Sequence, residues 1–169
     1  VIVSAGGGAV GAHLLQTAFE ARELSELAHK RWRLLAGPNL PREWFNALQR
    51  LAQDGTIVER ARDDFPALLE AAALSISQAG YNTVLDVVSA RVRAVLVPFA
   101  GQGETEQSVR AERLAAAGLA QIVREDALTP QSLAAAVDAA WASPAPAETK
   151  FNVAGAGESA RIISEMVAP

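Results

Sequence analysis

The chain has no cysteine among its 169 residues. That absence removes disulfides, zinc–thiolate sites and thiol nucleophiles together, and suits a reducing compartment. Aromatic residues make up only 5 % of the sequence, with one Tyr and one Met, so the core must be built from Ala, Val and Leu. Such a composition favours short buried strands under tightly packed helices. Basic charge is not in excess: 15 Lys and Arg stand against 19 Asp and Glu, giving a net charge of −4. This argues against nucleic acid as a partner. No apolar run approaches ~18 residues, so no segment is expected to cross a bilayer as a helix. Only two histidines are present, His13 and His29. Both fall in or just after the first helical segment, where surface or packing roles suit them better than proton transfer. An initiator Met and a signal-peptide layout are also lacking. The chain starts as a strand already in progress, and we expect it to be an excised piece of a longer protein.

What is present is a regular alternation of short apolar runs with segments of helical period. The expected strands are Val1–Ala5, Trp32–Ala36, Thr56–Glu59, Leu74–Ser77, Ala94–Pro98 and Ala120–Val123. Between them helices are expected over Val10–Ala28, Pro41–Asp54, Pro66–Ala72, Asn82–Ala90, Thr105–Ala117 and Pro130–Ala142, with a last one over Glu158–Met166. Pro41, Pro66 and Pro130 sit where a first helical turn tolerates a missing N–H, and Thr129 precedes the last of these as a cap. Runs such as Ala94-Val95-Leu96-Val97 are apolar on both faces, as a parallel sheet covered on both sides requires. The expected fold is one α/β domain over residues 1–169: a doubly wound, Rossmann-like, six-stranded parallel sheet with helices on both faces.

In the common strand order 3-2-1-4-5-6, the first and fourth strands lie side by side and open a crevice at their carboxyl ends. The first-strand loop is Ala5-Gly6-Gly7-Gly8-Ala9-Val10-Gly11, and the fourth-strand loop is Gln78-Ala79-Gly80-Tyr81-Asn82-Thr83. Each leads into a helix N-terminus, where unpaired N–H groups and the helix dipole favour an anion. A phosphate or diphosphate is the natural guest. Gly6-x-Gly8-x-x-Gly11 also spells a dinucleotide fingerprint, but nicotinamide cofactors want an acid after the second strand. That strand ends Leu35-Ala36-Gly37-Pro38, which disfavours them. Asp86 lies one turn into the helix after the fourth strand, placed to accept hydrogen bonds from vicinal ribose hydroxyls. After the fifth strand, Glu106 and Gln107 carry a carboxylate and an amide suited to sugar hydroxyls.

Taken together, Gly6-Gly7-Gly8-Ala9-Val10-Gly11-Ala12, Ser77-Gln78-Ala79-Gly80-Tyr81-Asn82-Thr83 with Asp86, and Val97-Pro98-Phe99 followed by Glu106-Gln107 resemble the C-terminal half of glycosyltransferase family 28. The resemblance runs from Val1 to about Trp141, with three motifs in order. It implies the donor-binding domain of a GT-B enzyme that takes a hexosyl group, such as N-acetylglucosaminyl, from a UDP-sugar. By that resemblance Gly6, Gly7, Gly8, Gly11, Gly80, Tyr81, Asn82 and Thr83 hold the diphosphate and Asp86 the ribose. Ala61 and Arg62 lie along the base, and Glu106 and Gln107 contact the donor sugar. No metal and no cofactor beyond the nucleotide-sugar co-substrate is implied. The catalytic base and the acceptor site are expected in an N-terminal domain outside this chain, with the longer protein cytoplasmic and peripheral to the inner membrane face. The chain departs from the family in three places: Asp86 stands for Glu, Arg110 for Asn, and Ala61 for an aromatic. A sugar-nucleotide 2-epimerase half-domain and a non-catalytic nucleotide-binding module remain alternative readings of the residues.

Overall fold

A computed structural model describes residues 1–6, 11–52, 54–101, 105–146 and 155–167 of the chain. Its strands are β1 (Ile2–Ser4), β2 (Trp32–Ala36), β3 (Thr56–Arg60), β4 (Ser75–Ser77), β5 (Ala94–Leu96) and β6 (Gln121–Ile122). They form one sheet in the order β3-β2-β1-β4-β5-β6, and every neighbouring pair is parallel. The helices are α1 (Ala12–Arg22), α2 (Arg42–Leu51), α3 (Phe65–Glu70), α4 (Tyr81–Ala90), α5 (Glu106–Ala116), α6 (Pro130–Ala142) and α7 (Gly155–Val167). The doubly wound architecture expected from the sequence is therefore the one observed.

Alternation along the strands explains the two-sided cover. Val3, Leu34, Ile76 and Val95 align across four strands and pack into a core with Leu15, Ala18, Leu48, Leu133 and Val137 of α1, α2 and α6. Their strand neighbours Ile2, Leu35 and Ala94 face the other way, against Leu69 and Val87 of α3 and α4. Leu96 does the same with Val84, Ala111 and Leu114 of α4 and α5. Both faces of the central strands are thus buried, which is why β5 reads as an unbroken apolar run and even Ser75 and Ser77 of β4 are buried.

Helix ends follow from local chemistry. Thr129 caps α6 by accepting from Ser132 N–H, and Ser132 Oγ accepts in return from Thr129 N–H, a reciprocal capping box. Past α5, Gly118 N–H donates to Ala115 O and Leu119 N–H to Leu114 O, the paired bonds of a Schellman closure.

The expected helix Val10–Ala28 is corrected. It ends at Arg22, and a separate 3₁₀ turn, Glu26–His29, follows. Ser25 causes the break: its Oγ accepts from Leu27 N–H and donates to Asp138 of α6. A buried side-chain oxygen that offers the backbone another partner competes with the helical ladder. The expected strands Val1–Ala5, Ala94–Pro98 and Ala120–Val123 are shorter, at Ile2–Ser4, Ala94–Leu96 and Gln121–Ile122.

Candidate functional site

The carboxyl ends of β1 and β4 meet at the point where the strand order reverses, and the loops that leave them come into contact. Gly6 adopts φ +68°, and a Cβ there would sit 3.3 Å from Gln78 Oε1 on the β4–α4 connection. Positive φ and this close approach together call for glycine. Gln78 is 8 % exposed, and its side chain reaches from the β4–α4 connection to the Gly6 turn. Gly7 and Gly8 lie outside the described residues.

Gly11 plays a different part. It caps α1 with φ −89°, and a Cβ on it would lie 2.1 Å from Ala5 Cβ and 3.0 Å from Ala5 O. The last glycine of the loop therefore lets α1 start directly against the end of β1. Neither α1 nor α4 has an acid in its first turn or a side-chain cap. The first main-chain bond of α4 runs from Val84 N–H to Gly80 O at 3.0 Å, leaving the N–H groups of Tyr81, Asn82 and Thr83 without helical acceptors. The start of α4 is thus an electropositive end that no side chain of its own occupies.

Gly80 has a backbone that any residue adopts, with φ −61°. Among the described residues the nearest atom to an added Cβ is Thr83 Oγ1 at 3.8 Å, ordinary contact.

Asp86 is half-buried on α4 rather than fully solvated. Burial alone raises its carboxyl above the usual carboxylate range, because no cation or donor among the described residues offsets the lost hydration. Such a carboxylate is poised to accept hydroxyl hydrogen bonds.

Ala61 and Arg62 border a cavity of about 460 Å³ with Pro38, Arg60 and Asp63, beside the carboxyl ends of β2 and β3. Ala61 N–H is already committed to Ala36 O at 2.8 Å, so this residue can offer a planar ligand its carbonyl but not its donor. Arg62 is held by both carboxylate oxygens of Asp64 at 2.7 Å. Arg60 braces the cavity by donating to Gly37 O and Leu40 O at 3.0 Å each, with its guanidinium 4.2 Å from the Phe45 ring centroid.

At the other end of the sheet edge, Glu106 and Gln107 open α5. Glu106 is 82 % exposed, with Arg110 Nη2 3.8 Å away. Gln107 Oε1 accepts from Phe99 N–H at 3.2 Å, which closes the β5–α5 connection and leaves only the amide N–H₂ for a ligand. His13 and His29 are both exposed, and His29 Nδ1 lies 3.0 Å from Glu26 O. Among the described residues no group of three or more His, Cys, Asp or Glu could hold a metal ion.

The sequence-predicted residues therefore fall along one edge in sheet order: Ala61 and Arg62 by β3, Gly6 and the start of α4 at β1 and β4, Glu106 and Gln107 past β5. The sequence reading included Gln78 in the fourth-strand loop without a role of its own; its approach to Gly6 depends on the fold.

Comparison with known proteins bears on this edge. The model of the glycosyltransferase family 28 C-terminal domain matches residues 2–165. A UDP-N-acetylglucosamine--N-acetylmuramyl-(pentapeptide) pyrophosphoryl-undecaprenol N-acetylglucosamine transferase of Brucella suis is 31 % identical over 166 residues, 95 % of this chain and 44 % of the relative. Its namesake from Methylobacterium radiotolerans is 34 % identical over 107 residues, 62 % of this chain and 29 % of that protein. Among solved structures, Acinetobacter baumannii MurG superposes with a TM-score of 0.74 at 22 % identity, covering 97 % of this chain and 49 % of that one. CalG4, the calicheamicin glycosyltransferase, superposes with a TM-score of 0.69 at 23 % identity, covering 99 % and 42 %. This chain spans under half the length of the Brucella relative.

Proposed function

Because this chain belongs to the glycosyltransferase family 28 C-terminal domain family, we propose that it is the donor-binding half of a glycosyltransferase that uses a UDP-sugar. The donor lies along the sheet edge in the order of the strands. Its base enters the cavity by Ala61 and Arg62, and its ribose hydroxyls donate to Asp86. The diphosphate sits between Gly6, Gly7, Gly8 and Gly11 on one side and Gly80, Tyr81, Asn82 and Thr83 on the other. The hexose reaches Glu106 and Gln107. The observation that carries this reading is the contact of the Gly6 loop with Gln78 beside the uncapped start of α4.

The chemistry follows from that placement. When the bond from the anomeric carbon to the diphosphate breaks, negative charge grows on the leaving oxygen. Preorganised N–H groups and a helix end aimed at it lower the barrier without reorganising. A base must also take the acceptor proton, and no described residue at the edge is placed for it; we assign it to the remainder of the longer protein, which also holds the acceptor. N-acetylglucosamine is the sugar that the Brucella relative's name carries, and UDP-N-acetylglucosamine is the donor we propose. Among the described residues no helix is long and apolar enough to cross a membrane. The relative's undecaprenol-linked acceptor suggests work at the inner membrane face from the cytoplasmic side. A 2-epimerase role has no specific observation in its favour.

Calorimetric titration with UDP, UDP-N-acetylglucosamine and NAD tests the reading. UDP and its sugar ester should bind and NAD should not, since Ala36-Gly37-Pro38 offers no acid for an adenosine ribose. Binding of NAD without UDP would contradict it.

A further inference from the structure

Arg110 crosses from α5 to the turn that precedes α4. Its Nη1 donates to Ala79 O at 2.6 Å, and its guanidinium carbon lies 5.7 Å from the centroid of the Tyr81 ring. Nη2 stands 3.8 Å from Glu106 Oε2, one helical turn back along α5. The Arg110 side chain is only 23 % exposed, whereas Glu106, its carboxylate neighbour among the described residues, is 82 % exposed. A pairing with so solvated a partner neutralises little of the cation's field. The result is a largely uncompensated positive charge against the residues that open α4, where the helix end is itself positive and has no acid in its first turn.

Two like-signed fields directed at one place are unfavourable until an anion arrives. Ala79 O relieves part of this by accepting from the guanidinium, and the ring of Tyr81 offers its negative face. We propose that Arg110 is a positioning residue for the donor diphosphate, supplying positive charge to the start of α4 and tying the diphosphate-binding turn to the helix that bears Glu106 and Gln107. This rests on the reading of the edge as a UDP-sugar site and adds to it a charge that backbone N–H groups alone do not provide. Because α5 holds the sugar-contacting pair and Arg110 grips the diphosphate turn, one side chain connects the two subsites on either side of the bond that breaks. Its charge also favours the diphosphate as the leaving group gains charge.

The test compares Arg110→Lys and Arg110→Gln with the parent protein, titrating uridine, UMP and UDP at low and high salt. Arg110→Gln should bind uridine as the parent does and lose about tenfold in UDP affinity at low salt, with the deficit shrinking as salt rises. Arg110→Lys, which keeps the charge and loses the planar fork, should stay within about threefold of the parent for UDP. Equal losses in both variants, independent of salt, would mean that Arg110 only braces the turn through Ala79 and would overturn the charge assignment. Unchanged UDP binding in Arg110→Gln would overturn it too, while leaving the donor-site reading intact. A parent protein that binds none of the three ligands would overturn both. Thermal unfolding of each variant distinguishes a lost charge from a lost fold.

Discussion

Asp86 shows how a single residue can be adverse to the fold and useful to the site. Its carboxyl is raised by burial without a compensating partner, so the ionised form is the less comfortable one in the folded chain. The folded-state pKa then lies above the unfolded value near ~4. Ionisation therefore costs stability above that range, and the cost disappears as pH falls through it. Asp86→Asn should leave the ligand-free protein as stable as the parent or more so at neutral pH. Urea unfolding at pH 7 and near pH 4 should show the two proteins converging at the lower value. The same substitution removes charge-assisted hydrogen bonds worth roughly 1.5–3 kcal/mol, so UDP affinity should fall about tenfold to a hundredfold. A variant that loses stability at pH 7 and binds UDP normally would make Asp86 a structural acid. Its place on the helix was legible from spacing, but its half-buried state was not. That depends on how α4 is packed, with Val84 and Val87 in the core beneath it.

At the scale of the elements, period and composition located each strand and α-helix of the described residues, because short apolar runs alternate with segments of helical period. The boundaries were less legible. Ser25 ends the first helical segment through a bond to Asp138, 113 residues away in sequence, and no local pattern announces such a partner. The glycines of the first loop were legible as a group and not individually. Gly6 faces Gln78, whereas Gly11 faces Ala5. Gly11→Ala would bring two methyl carbons to 2.1 Å, and the backbone of β1 cannot yield as a flexible side chain would. Overpacking of this kind costs about 1–3 kcal/mol, read as a lowered urea midpoint. Pairing it with Ala5→Gly removes one of the two methyls, and a double-mutant cycle should return a favourable coupling of about 1 kcal/mol or more. Strict additivity would mean that α1 starts elsewhere. Gly80 carries no conformational demand of its own, since its backbone is one that any residue adopts.

For the whole molecule, the proposed donor follows the sheet order along its edge, with the diphosphate assigned to the reversal between β1 and β4. Family membership is established over residues 2–165, while the proposed ligand position rests on the approach of the Gly6 turn to Gln78 beside the start of α4. The most direct measurement is the UDP affinity of Gly80→Ala beside its stability. An added methyl meets nothing closer than 3.8 Å among the described residues, and alanine in place of glycine at a helix cap costs no more than about 1 kcal/mol. The variant should therefore fold with a nearly unchanged melting temperature. If the diphosphate approaches the main chain at this point, the same methyl should reduce UDP affinity at least about tenfold, or ~1.4 kcal/mol, while uridine binding holds. A folded Gly80→Ala protein that binds UDP as tightly as the parent would contradict the placement of the diphosphate at the start of α4.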